Sequence, residues 1–439
     1  MKRKCSILLI LLLCTPLVLY GLTVQEEKKY GKEIYREIAQ SAPINNDPYI
    51  ALYLRNIKTR VESAISLPFP IILTVIQSPS LDAFATIGGY VYVTTGLISM
   101  CDTEEELAGV LAHEFAHVSR RHVAKRLEKQ KQINIGMIAA MALSMLVPSP
   151  QGKEATLAMG MASAQALSLK YSREDEDEAD RFGAQAAARA GYGGLGIADF
   201  LKKLRIAGGD KTLPQYLLTH PYHEERIIKL ESTWRENRVT VDTSFFPYLI
   251  TRAKILHTTA GTGVDDTWIN RYMRNKDDPS IAYGAALVYV LRGKKEDAIE
   301  IIKGIKSPYK NLLLGEILFN SQRFTEAIDV LTNEQNPIGQ FFLARAYEMS
   351  GQRDTALLTF REIEQYGNSF PEIYYRYGML AGRMGNEAEG FEYLGRYYLE
   401  TGRTDLARTN LEKAITRYGI NSPKGQELVA LLGELTAKR

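Results

Sequence analysis

Residues 112–117 read Ala-His-Glu-Phe-Ala-His. His113 and His117 are four residues apart, so on a helix their imidazoles share a face and can both reach one metal ion. Glu114, next to the first of them, is near enough to take a proton from a water at that ion. The chemistry such a set performs is metal-assisted hydrolysis of an amide. The motif is short, and a helix can carry two histidines by chance. A catalytic zinc centre also needs at least three protein ligands and one open position, so other parts of the chain must supply a third ligand.

A second run, Ser-Arg-Glu-Asp-Glu-Asp-Glu-Ala-Asp at residues 172–180, offers one. Glu176 and Asp180 share a helix face by the same four-residue spacing. Glu176 can be the carboxylate ligand, and Asp180 can accept the outer N–H of a ligand histidine and fix its tautomer. Glu174, Asp175, Asp177 and Glu178 compete for these roles, and on spacing alone the run equally fits a solvated helix start.

The remaining histidines carry weaker signals. His220 lies in Leu-Thr-His-Pro-Tyr-His-Glu-Glu-Arg, where the following proline holds the backbone extended. A lone loop histidine is ordinarily a surface residue, and His223 and Arg226 are lesser candidates still. His122 falls on a different helical face from His113 and His117 and reads as a surface or packing residue. His257 has no expected metal role.

These residues need elements to hold them. Residues 25–66 read as two amphipathic helices parted by Asp47-Pro48. Residues 69–99 turn to β-branched and aromatic types, with Gly88-Gly89 as a turn, and read as strands. Residues 101–130 read as one helix. Thr103 and Glu106 are spaced for a capping box, with acidic residues at its start and basic ones at its end. Residues 136–169 hold two apolar runs too short to span a bilayer, expected as a buried helical hairpin; a methionine-rich lid or membrane-touching flap is the alternative, with peripheral membrane contact. Helices follow at about 171–191 and 196–207, and residues 241–277 read as a connector.

The 439 residues imply two or three domains, and 45% hydrophobic with 24% charged residues is ordinary globular composition. The net charge of +3 is matched by Lys2, Arg3 and Lys4, so a chain starting near Leu22 is about neutral; no nucleic-acid surface is expected. Those basic residues precede an apolar run, the pattern of a signal peptide or an N-terminal anchor over residues 1–24. Leu13 is too bulky for lipidation at Cys14. Cys5 and Cys14 lie in that segment, leaving Cys101 alone, which excludes an internal disulfide and a cysteine zinc site. An exported chain without disulfides fits a periplasm.

From residue 278 a turn followed by a helix with a small residue recurs, the small residues being Ala298, Ala327, Ala356, Gly390 and Ala407. The first two intervals fall short of the usual ~34 residues, the third equals it and the last is about half. This resembles somewhat degenerate tetratricopeptide repeats, which stack into a curved solenoid with a concave groove for protein partners.

His-Glu-Phe-Ala-His followed by Tyr-Ser-Arg-Glu-Asp-Glu-Asp-Glu-Ala-Asp resembles the zinc metallopeptidase family of HtpX and the CAAX prenyl proteases, of the gluzincin arrangement. With the export segment and the repeats, the chain is most similar to the BepA-like periplasmic subgroup. The resemblance covers about residues 25–240 and implies an α+β zinc metallopeptidase domain with a small sheet, followed over 278–439 by an all-α repeat solenoid. It implies one Zn2+ held by His113, His117 and Glu176, with Glu114 as general base and Asp180 behind a ligand. It places a histidine near the active site at His220, which would stabilise the oxyanion or close zinc's open position and keep the enzyme latent. It favours a sheet edge at Gly88, Gly89, Tyr90, Val91 and Tyr92 that binds substrate as an added strand; an interior strand fits the residues equally well. The implied function is periplasmic quality control and assembly of outer-membrane proteins, with polypeptide substrates and the β-barrel assembly machinery as partner. A non-proteolytic chaperone with a structural or closed zinc site is the alternative.

Overall fold

The structure, a computed structural model, describes residues 21–129, 138–139, 171–208, 215–234, 238–261 and 265–436. Residues 1–20 of the expected export segment and almost all of the hairpin expected over 136–169 lie outside the described residues. Among the described residues, no helix is long and apolar enough to cross a membrane.

The two helices expected near the start are α1 (Val24–Ser41) and α2 (Pro48–Ala64). Asp47 caps α2, accepting the N–H groups of Tyr49 and Ile50, and Pro48 occupies the first turn where its missing N–H costs nothing. Three strands follow, β1 (Ile72–Ile76), β2 (Ala83–Ala85) and β3 (Tyr90–Thr94), in the order β1-β3-β2. β3 runs parallel to β1 and antiparallel to β2.

That order corrects the substrate edge expected at Gly88, Gly89, Tyr90, Val91 and Tyr92. β3 is the interior strand, and all five of its residues are buried, as in a strand covered on both faces. Its backbone is engaged on both sides: Ile72 N–H donates to Gly89 O (2.9 Å), and Thr86 N–H donates to Tyr90 O (2.8 Å). Gly88 and Gly89 have φ of +83° and +90° and serve the turn into β3. A Cβ on Gly88 would stand 2.6 Å from the Glu27 carbonyl of α1. Gly88 therefore admits the neighbouring helix α1.

After α3 (Thr95–Met100) come α4 (Glu104–Ser119) and α5 (His122–Lys129). The single helix expected over 101–130 is broken. Arg121 takes φ +55°, and its guanidinium is held by Glu27 at 2.5 Å. The capping box is half made. Thr103 accepts the Glu106 N–H at 3.3 Å, but the Glu106 carboxylate turns to the Asp102 N–H (2.7 Å) and to Lys203 (2.6 Å). α4 is buried on nearly every face, because the sheet, α2, and two later helices surround it. Each fully buried Leu, Val or Phe along it stabilises the fold by about 1.5–3 kcal/mol.

Those later helices are α6 (Arg173–Arg189) and α7 (Gly196–Gly208). Ser172 and Asp175 close a full capping box on α6, and the acids at its start suit the helix dipole. A short α8 (Gln215–Thr219), α9 (Glu224–Thr233), α10 (Phe246–Gly261) and α11 (Thr267–Arg274) follow.

The remainder is helical: α12 (Pro279–Leu291), α13 (Lys295–Gly304), α14 (Lys310–Asn320), α15 (Phe324–Leu331), α16 (Pro337–Met349), α17 (Arg353–Glu362), α18 (Glu372–Arg383), α19 (Glu387–Glu400), α20 (Thr404–Tyr418) and α21 (Pro423–Thr436). Neighbours in sequence pack on each other. Two residues before α13, α15, α17, α19 and α20 the chain turns through a left-handed backbone, at Gly293, Gln322, Gly351, Gly385 and Gly402. The recurring small residues Ala298, Ala327, Ala356, Gly390 and Ala407 are all buried. The half-length last interval arises because Gly390 and Ala407 sit on consecutive helices.

One apolar core runs without interruption from Tyr49 of α2 through α10 to Tyr393 of α19. Arg252 of α10 is bonded to Asp47 (2.5 Å), Glu316 of α14 (2.6 Å) and Tyr283 of α12 (2.8 Å). Tyr35 of α1 donates to the Glu400 carbonyl at 2.7 Å.

Candidate metal centre

α4 presents His113 and His117 on one face, and α6 lies directly across from them. The approach is close because of Gly183, where a Cβ would stand 2.8 Å from His113 Cα. Glu176 and Asp180, one turn apart on α6, therefore reach the histidines together. His113 Nε2 lies 3.0 Å from His117 Nε2 and 3.5 Å from Glu176 Oε2, and Glu176 Oε1 lies 3.6 Å from His117 Nε2.

His220, at the end of α8, completes the cluster. Its Nδ1 is 3.3 Å from His113 Nε2 and 3.0 Å from Glu176 Oε1. His113, His117, Glu176 and His220 are buried, and each offers a ligand atom within 4.8 Å of the others. Ligand atoms at about 2.0–2.2 Å from a zinc ion stand roughly 3.3–3.6 Å apart in a tetrahedron. The observed separations fit a metal ion of that kind, with His220 Nδ1 among the candidate ligand atoms.

Charge agrees with this fit. Glu176 is held well below the usual carboxylate range: burial opposes this, but His220 and Arg226 outweigh it. Asp180 is lowered in the same way, against burial, by Arg226 and His113. Burial alone would depress His113, yet Asp180 and Glu176 push it up to about 9. His117 falls well below its ordinary value through burial and the neighbouring His113.

Asp180 takes the position expected for it, with Oδ1 at 3.0 Å from His113 Nδ1. Arg226 locks it from behind, donating to its two oxygens at 2.6 and 2.8 Å and reaching Glu176 Oε2 at 2.7 Å. The lesser candidate Arg226 is thus a buried strut of the site. His223 and His257 are not part of the cluster.

Glu114, beside His113 on α4, is fully buried. Burial raises its carboxyl above the usual range, against the pull of His220 and His113. Tyr216 donates to its Oε1 at 3.3 Å, and His220 Nε2 faces the same oxygen at 3.4 Å. Tyr216 stacks on His220 (4.4 Å between centroids), and Tyr171 stacks on His117 (3.8 Å). Neither tyrosine is legible from motif spacing.

Of the surface and packing readings given to His122 the packed one holds, but on the side of His117 rather than on a different face. Its side chain is buried, its Nδ1 lies 2.9 Å from His117 Nδ1, and its Nε2 lies 2.9 Å from Glu178. A continuous helix would have carried it to another face; the break at Arg121 returns it to His117.

Residues 51–234 match the family profile described as Peptidase family M48. The chain is similar to a putative beta-barrel assembly-enhancing protease of Vibrio cholerae, 35% identical over 281 residues, 61% of this chain and 57% of that protein. It is similar to the beta-barrel assembly-enhancing protease of Escherichia coli strain K12, 29% identical over 356 residues, 76% of this chain and 72% of that one. A mitochondrial metalloendopeptidase OMA1 of Schizosaccharomyces pombe is 30% identical over 225 residues, covering 50% of this chain and 64% of that protein. The match thus spans little more than half the length of the Vibrio relative. His113, Glu114, His117, Glu176, Asp180 and His220 all fall inside the segment that matches Peptidase family M48.

Proposed function

We propose that the chain is a zinc-dependent endopeptidase of the bacterial periplasm that degrades misfolded or stalled outer-membrane proteins and aids their assembly. The observation that carries the activity is the convergence of His113, His117 and Glu176 on one point, with Glu114 beside it, inside an M48 domain. Names of two relatives, each a beta-barrel assembly-enhancing protease, support the cellular role. The basic and apolar first residues support export.

His113, His117 and Glu176 would hold one Zn2+. When bound, zinc polarises a carbonyl and lowers the pKa of water to about 7. Glu114 takes the proton of the attacking water and returns it to the leaving amine. Its burial raises its basicity toward that task. Asp180 and Arg226 hold His113 in the tautomer that leaves Nε2 free. With β3 interior, β1 and β2 are the edges of this sheet, and in this reading β2 receives an extended substrate. Asp82 and Thr86 bond toward β3, so the Ala83 and Ala85 backbone groups between them face outward.

Residues 25–240 make the peptidase unit in this reading, 241–277 a connector and 278–439 a tetratricopeptide-like solenoid. The solenoid would recruit polypeptide clients and the β-barrel assembly machinery. The left-handed turns spaced ahead of α13, α15, α17, α19 and α20 support the repeat reading.

A second reading concerns state. His220 Nδ1 stands among the ligand atoms, so His220 would close the fourth position and make the resting enzyme latent. Withdrawal of α8 would open the site and take Tyr216 off Glu114.

The test is to purify the full chain, measure bound zinc, and compare cleavage of an unfolded polypeptide by wild type and Glu114→Gln. We expect Glu114→Gln to keep zinc and lose roughly 10²–10⁴-fold in rate. Equal cleavage by the two proteins would sink the mechanism. Absence of bound zinc in wild type would sink the metal assignment.

A further inference from the structure

His117 has two ring nitrogens with different duties. Its Nε2 faces His113 Nε2 (3.0 Å) and Glu176 Oε1 (3.6 Å), the side on which a metal would sit. A ligating nitrogen carries no proton, so the proton of a neutral His117 is on Nδ1, and Nδ1 must donate. The atom facing it is neither a carboxylate nor a carbonyl. It is His122 Nδ1, at 2.9 Å.

The next assignments follow in turn. To accept, His122 Nδ1 must present its lone pair, which puts the proton of His122 on Nε2. That nitrogen stands 2.9 Å from Glu178 Oε2, an acceptor only. Glu178 is fixed on its far side by Arg120, whose Nε and a terminal nitrogen lie 2.8 and 2.7 Å from Oε1. If the proton sat on His122 Nδ1 instead, His117 would have to carry its own on Nε2 and could not ligate. The His117 and His122 rings meet edge-on, at 74° and 5.0 Å between centroids.

We propose that His122, anchored by Glu178, is the positioning residue for His117: it selects the ligating tautomer and aims Nε2 into the metal site. The role parallels that of Asp180 behind His113, with a neutral imidazole in place of a carboxylate. The two ligands thus differ in support. His113 is backed by a charge and His117 by a neutral acceptor one bond removed from a charge. The break at Arg121 exists in the right place to make this contact, since it lets two histidines five residues apart in sequence meet. The inference rests on the metal site proposed above.

The test compares zinc affinity of the full-length wild type with His122→Phe, His122→Asn and Glu178→Ala, by competition with a chromophoric chelator. Thermal unfolding of the metal-free proteins runs alongside. Phenylalanine fills the space of the ring without an acceptor; asparagine places an oxygen near the Nδ1 position. We expect zinc affinity to fall about 10–100-fold in His122→Phe and to recover largely in His122→Asn. The cobalt(II) absorption spectrum should change in the first and return toward wild type in the second. Wild-type affinity in His122→Phe overturns the proposal, as does an equal loss in the phenylalanine and asparagine variants. Should His122→Phe fail to fold, Glu178→Ala decides: its side chain lies at the partly exposed rim, a several-fold loss is expected, and no loss overturns the proposal. A wild type that binds no zinc removes the site reading itself, which is a separate outcome.

Discussion

His220 stands between the ligand cluster and Glu114: its Nδ1 is 3.0 Å from Glu176 Oε1, while its Nε2 is 3.4 Å from Glu114 Oε1. One imidazole thus occupies both a ligand's place and the neighbourhood of the base. In the latent reading, His220→Ala frees both. Proteolysis of an unfolded substrate then rises, by up to about tenfold if the closed arrangement outweighs the open one by that ratio. A fall in rate would instead assign His220 to the oxyanion.

The α4–α6 contact sets the ligand geometry. In Gly183→Ala the new methyl meets His113 Cα at 2.8 Å and His113 N at 2.9 Å, which are backbone atoms with little room to give. The helices must part, and Glu176 and Asp180 move from the histidines together. Denaturant unfolding of the metal-free protein should show a loss of about 1–3 kcal/mol, accompanied by weaker zinc binding. Unchanged values of both would mean that α6 shifts as a rigid body without cost.

Gln322 is the exception among the left-handed turns, with φ +66° where the other repeats carry glycine. An L-residue there costs about 1–2 kcal/mol, against a glycine's entropic cost of roughly 0.5–1 kcal/mol. Gln322→Gly should therefore raise stability by about 0.5–1 kcal/mol, read as a higher denaturation midpoint. This reverses the usual sign for a glycine substitution.

Glu400, at the end of α19, faces the narrow cleft that Tyr35, Asn45 and Arg55 also line. Burial pushes its carboxyl up to about 7 from an ordinary 4.5, although Arg396 and Lys32 pull the other way. Over that interval the folded protein holds a proton that the unfolded chain has released, so stability declines as pH rises through about 7. In Glu400→Gln this decline is absent. The variant should match wild type near pH 4.5 and be more stable at pH 8, by denaturant titration at each pH.

Much of the site was legible because it depends on helical spacing. His113 with His117, and Glu176 with Asp180, needed only the four-residue period and a guess that two helices meet. His122 was misjudged because one residue in a left-handed conformation invalidated the helical count after it. Tyr171 opens the acidic run without a role that its spacing shows, and Tyr216 lies outside any motif; packing brings both to the site. The interior position of β3 depends on pairing between segments, which alternation within one strand does not encode. The Tyr-Val-Tyr-Val-Thr run is apolar or aromatic at nearly every position, and that is the local trace of burial on both faces.

Arg252 reads in sequence as one basic residue of a linking stretch, but it is bonded to Asp47, Tyr283 and Glu316 in the shared core. Two stretches that look separable by composition therefore share one apolar core. A truncation before α10 would leave the cap of α2 without its cation and Tyr49 without its cover. One guanidinium thus ties the start of α2 to α12 and α14 of the helical half.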